Sequence, residues 1–341
     1  MKRLVIDGFG KFLGIEDDQI VVREKGSVIH RVPPGEIRQV IISGKGSLST
    51  HALEKLLENQ VDVLFIDFRG KIRARIYGPI LRTVKTRREQ YKAFDDERSV
   101  ILSKEFAKTK IKNQYAVLGT IAKARKDYDA KTAQAIMNLR EKIRDQLKEL
   151  DEAKEEKCND IREKIMGIEG NSSSYYWLAL SKIFPTEFNF AGRTGRYATD
   201  PINAMLNYGY GVLLGDVLRA IHLAGLDPYA GFLHVDRPGR ESMALDLIEE
   251  FRQQVVDKPV IKLVTKKQVS IDDFEIFGNS CRIKDDARLL LLREVLGKLE
   301  SKVEYRGKKY TFTQVIQKQA IQIAKFLRGE ISSYRGFYLR W

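Results

Sequence analysis

The chain has four histidines, and one of them stands in company that could do chemistry. His234 closes the apolar turn of GFLHVDRPGRESMALDLIEEFR and is followed by a Pro–Gly loop bearing Arg237 and Arg240. The segment then turns amphipathic: Ala244, Leu247, Ile248, Phe251 and Val255 recur at helical spacing and predict a buried face. Asp246 falls on another side, one turn before Glu249 and Glu250, and carboxylates one turn apart can converge on a single cation. A helix that merely exposes ordinary acids has the same pattern, so this segment alone leaves both readings open. His30 in a strand, His51 at a helix start and His222 in the apolar RAIHLAGL read as structural.

Two further segments carry candidate groups. In IMGIEGNSSSYYW, Glu169 sits beside Gly170, just ahead of a helix expected over Ser172–Ile183. An acid there favours a helix N-terminus electrostatically; equally, a carboxylate next to a small residue leaves room for a metal and its waters. In GRTGRYATDPINAMLNYGYGVLLGDVLRA, Asp200 reads as an N-cap with Pro201 at the first helical position. Gly211 and Gly215, one turn apart, suggest close approach of another helix. Arg193 and Arg196 could grip phosphates or make surface salt bridges.

These residues need elements to position them. Through about residue 80 the chain is a series of short β-branched runs, Leu4–Ile6, Gln19–Arg23, Val28–Val32, Val40–Ser43, Val61–Ile66 and Ile72–Tyr77, parted by Gly, Asp, Asn or Pro. One helix interrupts them, Thr50–Glu58, capped by Ser49 or Thr50. In the last run Lys71, Arg73 and Arg75 alternate with Ile72, Ala74 and Ile76, which predicts a solvated basic face. From about residue 85 charged amphipathic stretches take over, with no strand-like run until near residue 260. Leu139–Lys157 sets opposite charges three and four apart, as exposed helices do. Helices are expected at Pro201–Ala224, Ser242–Val256, Asp285–Lys298 and Thr313–Leu327, with a hairpin around Arg306–Gly307 in VEYRGKKYTF. The fold class is α+β: a β-rich domain over 1–80, a basic connector over 81–90, and a larger all-α catalytic domain over 91–341.

Composition narrows the partners. Sixty Lys and Arg against 46 Asp and Glu leave a formal charge of +14 over 341 residues, which favours polyanions, nucleic acid first. Two cysteines, Cys158 and Cys281, with no Cys-x-x-Cys pairing, exclude a zinc ribbon and argue against a disulfide scaffold. MKRLVIDGFGKF has too short an apolar run for a signal peptide, and no stretch approaches the roughly 18 apolar residues of a membrane span. A soluble, cytoplasmic protein is expected.

Taken together, the Glu-Gly pair followed by aromatics, the DPINAMLNYGYGVL helix and the His–loop–LDLIEEFR segment resemble the CRISPR-associated integrase family, the larger of the two nearly universal CRISPR adaptation proteins. The resemblance covers essentially the whole chain and implies metal ligands at Glu169, His234 and Glu249, with Asp246 a supporting or alternative ligand. It departs at one place: relatives often carry Ala-Ala-Arg after the Glu-Gly region, where this chain has Ser172, Ser173 and Ser174, so no DNA contact is transferred to Ser174. Two carboxylates and an imidazole suit Mn²⁺, and Mg²⁺ can use the oxygens with several waters retained. The implied reaction joins 3′-hydroxyl ends of captured DNA into the repeat array, or cuts DNA when water is the nucleophile, with Arg237 and Arg240 holding the reacting phosphate. The implied assembly is a homodimer formed largely through the β-rich domain, two such dimers being bridged by the small adaptation partner. A branched-DNA nuclease or resolvase that never integrates, and a non-catalytic DNA-binding protein, are the competing readings.

Overall fold

The computed structural model describes residues 2–79, 84–153, 158–195, 197–278 and 280–339. The chain divides into two compact units, 1–81 and 82–341.

In the first unit the strands are β1 (Lys2–Ile6), β2 (Phe9–Glu16), β3 (Gln19–Glu24), β4 (Ser27–Val32), β5 (Ile37–Ile42), β6 (Lys45–Leu48), β7 (Asp62–Ile66) and β8 (Ile72–Ile76), with α1 (Thr50–Glu58) between β6 and β7. They form two four-stranded sheets, ordered β4-β3-β2-β6 and β1-β5-β7-β8. Leu4, Leu13, Ile20, Val40, Leu56 and Val63 belong to one buried cluster that joins both sheets and α1. Ser49 is the N-cap of α1, its hydroxyl accepting from Ala52 N–H at 3.1 Å. β2 and β6 were not expected, because their glycines read as turns. Gly46 instead allows close strand approach: a Cβ there would lie 2.1 Å from the Lys11 carbonyl oxygen on paired β2. Of the three bases expected on a solvated face along β8, Lys71 and Arg73 are exposed and only Arg75 departs. Arg75 is nearly buried and donates from Nε to Asp62 at 3.1 Å, while Arg73 pairs with Asp67 at 2.6 Å.

The second unit is helical apart from two hairpins. It comprises α2 (Lys85–Ala93), α3 (Glu97–Arg125), α4 (Ala130–Glu152), α5 (Cys158–Ser181), α6 (Pro201–Ala224), α7 (Ser242–Ile248), α8 (Lys258–Thr265), the hairpin β9 (Phe274–Phe277) and β10 (Ser280–Ile283), α9 (Asp285–Glu300), the hairpin β11 (Lys302–Tyr305) and β12 (Lys308–Thr311), and α10 (Phe312–Leu327). α3, α4 and α5 pack against one another, and α6 is buried on nearly every side beneath α7, α9 and α10. Its first turn is capped as expected, Asp200 accepting from Asn203 N–H at 2.9 Å, and it ends at Gly225 in the left-handed region.

Four expectations change here. The connector is helical in its later part, as α2, and is built into this unit: Gln90 donates to the carbonyls of Asp227 and Ala230 at 3.0 and 2.8 Å. The helix expected from Ser172 begins at Cys158, so Glu169 lies inside a helix rather than ahead of one. The helix expected over Ser242–Val256 is α7 followed by a turn and a π-helical segment, Gln253–Asp257, running into α8, so the apolar run near residue 260 is helix and not strand. Strands appear instead at β9 and β10, with the hairpin near Arg306 where expected.

Candidate active site

Three pieces of backbone meet at the site. α3 supplies Lys110, α5 supplies Glu169, and α7 with its C-terminal turn supplies Asp246 and Glu249. The loop before α7 brings His234, and it is pinned from behind: Gln90 holds Asp227 and Ala230, and buried Arg162 donates from Nε to the Phe232 carbonyl at 2.7 Å.

Asp246 organises the loop. It is fully buried and accepts four hydrogen bonds: from Phe232 N–H (2.6 Å) and Leu233 N–H (3.0 Å) on Oδ2, and from His234 N–H (2.9 Å) and His234 Nδ1 (2.7 Å) on Oδ1. A carboxylate has about four lone-pair sites, and all of Asp246's are used. It therefore positions the imidazole, and the alternative of Asp246 as a metal ligand is set aside. With Nδ1–H directed at Asp246, Nε2 is the nitrogen left to ligate, the arrangement in which an outer carboxylate fixes a metal-binding histidine.

Glu169 and Glu249 converge on one cation, the Lys110 ammonium, which touches Glu169 Oε1 and lies 2.9 Å from Glu249 Oε2. Arg252, one turn after Glu249, reaches Glu249 Oε1 at 3.2 Å. Burial would raise the pKa of Glu249, but Arg252, Lys110 and His234 outweigh it and hold the carboxyl down at about 2. Burial likewise opposes the charge on Lys110, and Glu249 and Glu169 override it and raise its pKa. Glu249 Oε2 is buried, and the Lys110 ammonium is the partner that compensates its charge. Glu169 is steadied along its own helix: Ser173 donates to Glu169 Oε1 at 2.7 Å, and Gln114 donates to Ser173 at 3.0 Å. Ser174 points away and bonds the Gly170 carbonyl.

Behind Glu249 the π-helical segment brings Asp257 between two buried phenols, Tyr176 OH donating at 2.9 Å and Tyr210 OH at 2.5 Å. Burial pushes Asp257 up to about 6 despite both bonds. Arg252 lies over the Tyr210 ring at 4.9 Å, which ties this buried network to Glu249. Glu250 faces the other way and is held by the C-terminal segment, through Tyr334 OH, Gln319 and the Phe337 N–H. The acids of this helix are thus not a solvated face: Asp246, Glu249 and Glu250 are all buried.

The arginines separate. Arg193 donates to Asn203 Oδ1 (2.9 Å) and Asn207 Oδ1 (2.6 Å) and lies over Tyr210, so its guanidinium braces the preceding loop against α6. Arg196 lies outside the described residues. Arg237 and Arg240 sit on the exposed loop just after His234.

The donor set suits a divalent cation that takes oxygen and imidazole: two carboxylates aimed at one point and an oriented histidine. Among the described residues, however, no three His, Cys, Asp or Glu side chains are already spaced to hold a metal. The Lys110 ammonium lies between the two carboxylates. Sequence reasoning missed Lys110, Ser173 and Asp257. Nothing distinguishes Lys110 among so many lysines, whereas Arg252 was findable from its spacing to Glu249.

Residues 4–297 match the family model described as CRISPR associated protein Cas1. The CRISPR-associated endonuclease Cas1 1 of Archaeoglobus fulgidus is 48% identical, covering 99% of this chain and 100% of the relative. The CRISPR-associated protein Cas1 3 of Methanobrevibacter ruminantium is 37% identical over 99% of this chain and 100% of its own. Among solved structures, a casposase bound to integration product superposes with a TM-score of 0.83 at 28% identity, covering 98% of this chain and 93% of that one.

Proposed function

The chain belongs to the CRISPR-associated Cas1 family, and from that premise we propose that it is a metal-dependent DNA integrase and endonuclease working at Glu169, His234 and Glu249. The observation that carries this reading is the convergence of Glu169 and Glu249, from separate helices, on one cation position beside a histidine locked by Asp246. The cation would be Mn²⁺ or Mg²⁺, polarising the phosphodiester and stabilising the leaving 3′-oxygen. The Lys110 ammonium holds the carboxylate oxygens of Glu169 and Glu249 that such a cation would need, so the two would compete. Lys110, released from Glu169 and Glu249, would then be a cation able to pair with a phosphate oxygen. Arg237 and Arg240 grip the flanking backbone, as charge-assisted bonds to phosphate do.

The relative in Archaeoglobus fulgidus is named an endonuclease, and the casposase structure holds an integration product; both support strand transfer and cleavage here. The homodimer through the first unit and the small adaptation partner come with the family and belong to the same proposal. No described helix is long and apolar enough to cross a membrane.

The test is a strand-joining assay: purified protein, Mn²⁺, a labelled 3′-hydroxyl DNA end and a supercoiled plasmid carrying the CRISPR repeat. Label entering the plasmid with wild type, and lost with His234→Ala, is the expected result. Nicking without label transfer would instead favour the nuclease that never integrates.

A further inference from the structure

A second site lies away from these residues, in a cleft of about 600 Å³ between the C-terminal half of α3, the start of α8 and the end of α9. Its floor is aliphatic, made by Ile121, Ala124, Pro259 and Ile261, and its walls carry Arg125, Lys258, Arg293 and Lys298. The single acid lining it, Glu294, is already taken by Lys262 at 2.7 Å. Lys258 and Lys298 are each partly buried; Lys298 lies over the Phe312 ring at 5.0 Å, and neither ammonium has a hydrogen bond or ion pair with a described residue. Burial together with the charge of Lys298 pushes Lys258 down to about 8. Two like charges so placed are costly without a counter-ion, and a bound anion would relieve them.

The cleft is also kept open. Gly297 lies in the last turns of α9, where glycine is a poor helix former, and a Cβ built on it meets nothing within 4 Å. An alanine would favour the helix and touch no neighbour, so packing does not require the glycine. It leaves room on the cleft wall.

We propose that this cleft binds a nucleotide, its phosphate held by Lys258 and Lys298 and its base laid on Ile121, Ala124 and Ile261. The volume suits a small ligand, as pockets of about 300–1,000 Å³ do, and an aliphatic floor under a cationic wall matches a flat base joined to a phosphate. A free nucleotide and a nucleotide within a DNA strand share this chemistry.

The experiment uses the full chain near neutral pH without divalent metal. Lysines are acetylated with and without dAMP, inorganic phosphate or a short oligodeoxyadenylate, and mapped by mass spectrometry. dAMP should protect Lys258 and Lys298; protection by the oligonucleotide alone assigns a strand rather than a free nucleotide. Gly297→Leu should remove the protection while leaving the unfolding temperature unchanged or higher. Should that variant not fold, Lys258→Gln/Lys298→Gln serves, with dAMP affinity measured by calorimetry and expected to fall at least about tenfold. The proposal is overturned by the absence of protection, by phosphate protecting as well as dAMP, or by binding that survives these substitutions.

Discussion

Asp246 accepts from His234 twice, from the backbone N–H at 2.9 Å and from ring Nδ1 at 2.7 Å. One carboxylate thereby sets both where the histidine sits and which nitrogen it turns outward. The two residues are separated by a basic loop and the first turn of α7, so the imidazole is held by tertiary structure and not by its neighbours in sequence.

His234 and Glu249 should respond differently to alanine. Both variants should lose nearly all strand joining. His234 is partly exposed, so its replacement should leave the unfolding temperature close to wild type. Glu249 is only 2% exposed and faces Lys110 and Arg252. Removing it takes the ion-pair partner from Arg252 and leaves Lys110 with Glu169 alone, at a cost of about 3 kcal/mol. Differential scanning calorimetry of the two variants checks the contrast, and equal unfolding temperatures would contradict it.

The same pairing predicts acid sensitivity. With its carboxyl held at about 2 against an ordinary 4.5, Glu249 stabilises the fold above pH 4.5 and loses that contribution as pH falls toward 2. The amount is on the order of 3 kcal/mol. Denaturant melts of wild type and Glu249→Gln across this range should converge at the acid end.

Lys110→Met tests the competition between ammonium and metal. Without the cation, Glu169 and Glu249 repel each other, so the metal-free variant should unfold at lower temperature than wild type. Added Mn²⁺ should then raise its unfolding temperature by more than it raises that of wild type, because binding to the native state stabilises by mass action. An equal response in both proteins would remove Lys110 from the metal's position.

Asp257 acts in the opposite sense to Glu249. Burial raises its pKa to about 6 from 3.8, so the folded state favours the proton. Its contribution is fully present below pH 3.8 and is lost as pH rises through about 6. The loss is on the order of 3 kcal/mol. Asp257→Asn should flatten this part of the stability–pH profile, measured by urea unfolding at constant ionic strength.

For DNA, affinity should fall on the order of 10³-fold between 50 and 200 mM salt if about six phosphates are engaged. Arg237→Gln/Arg240→Gln should reduce the log–log salt slope by about two. Arg193→Gln should leave the slope unchanged and lower stability instead, since its guanidinium is committed to Asn203 and Asn207. Anisotropy titrations over a salt series separate these outcomes.

The sequence alone determined what is local and periodic. The cap at Asp200, the bounds of α6 and the buried face of Ala244, Leu247, Ile248, Phe251 and Val255 follow from hydrogen-bond and hydrophobic preferences that act within a few residues. The succession of short β runs and then long helices was legible for the same reason, and the spacing of the Glu-Gly, Asp-Pro and His–loop segments marked the family. Only the tertiary structure decided which groups meet. Lys110 reaches Glu169 and Glu249 from 59 and 139 positions away in the chain, and Asp257 joins Tyr176 across 81. Periodicity carries no record of such distances. Burial then overturned what helical spacing suggested for Asp246, Glu249 and Glu250, because α7 is covered on every side that bears an acid, and a buried carboxylate must find donors or a counter-ion wherever the fold brings them.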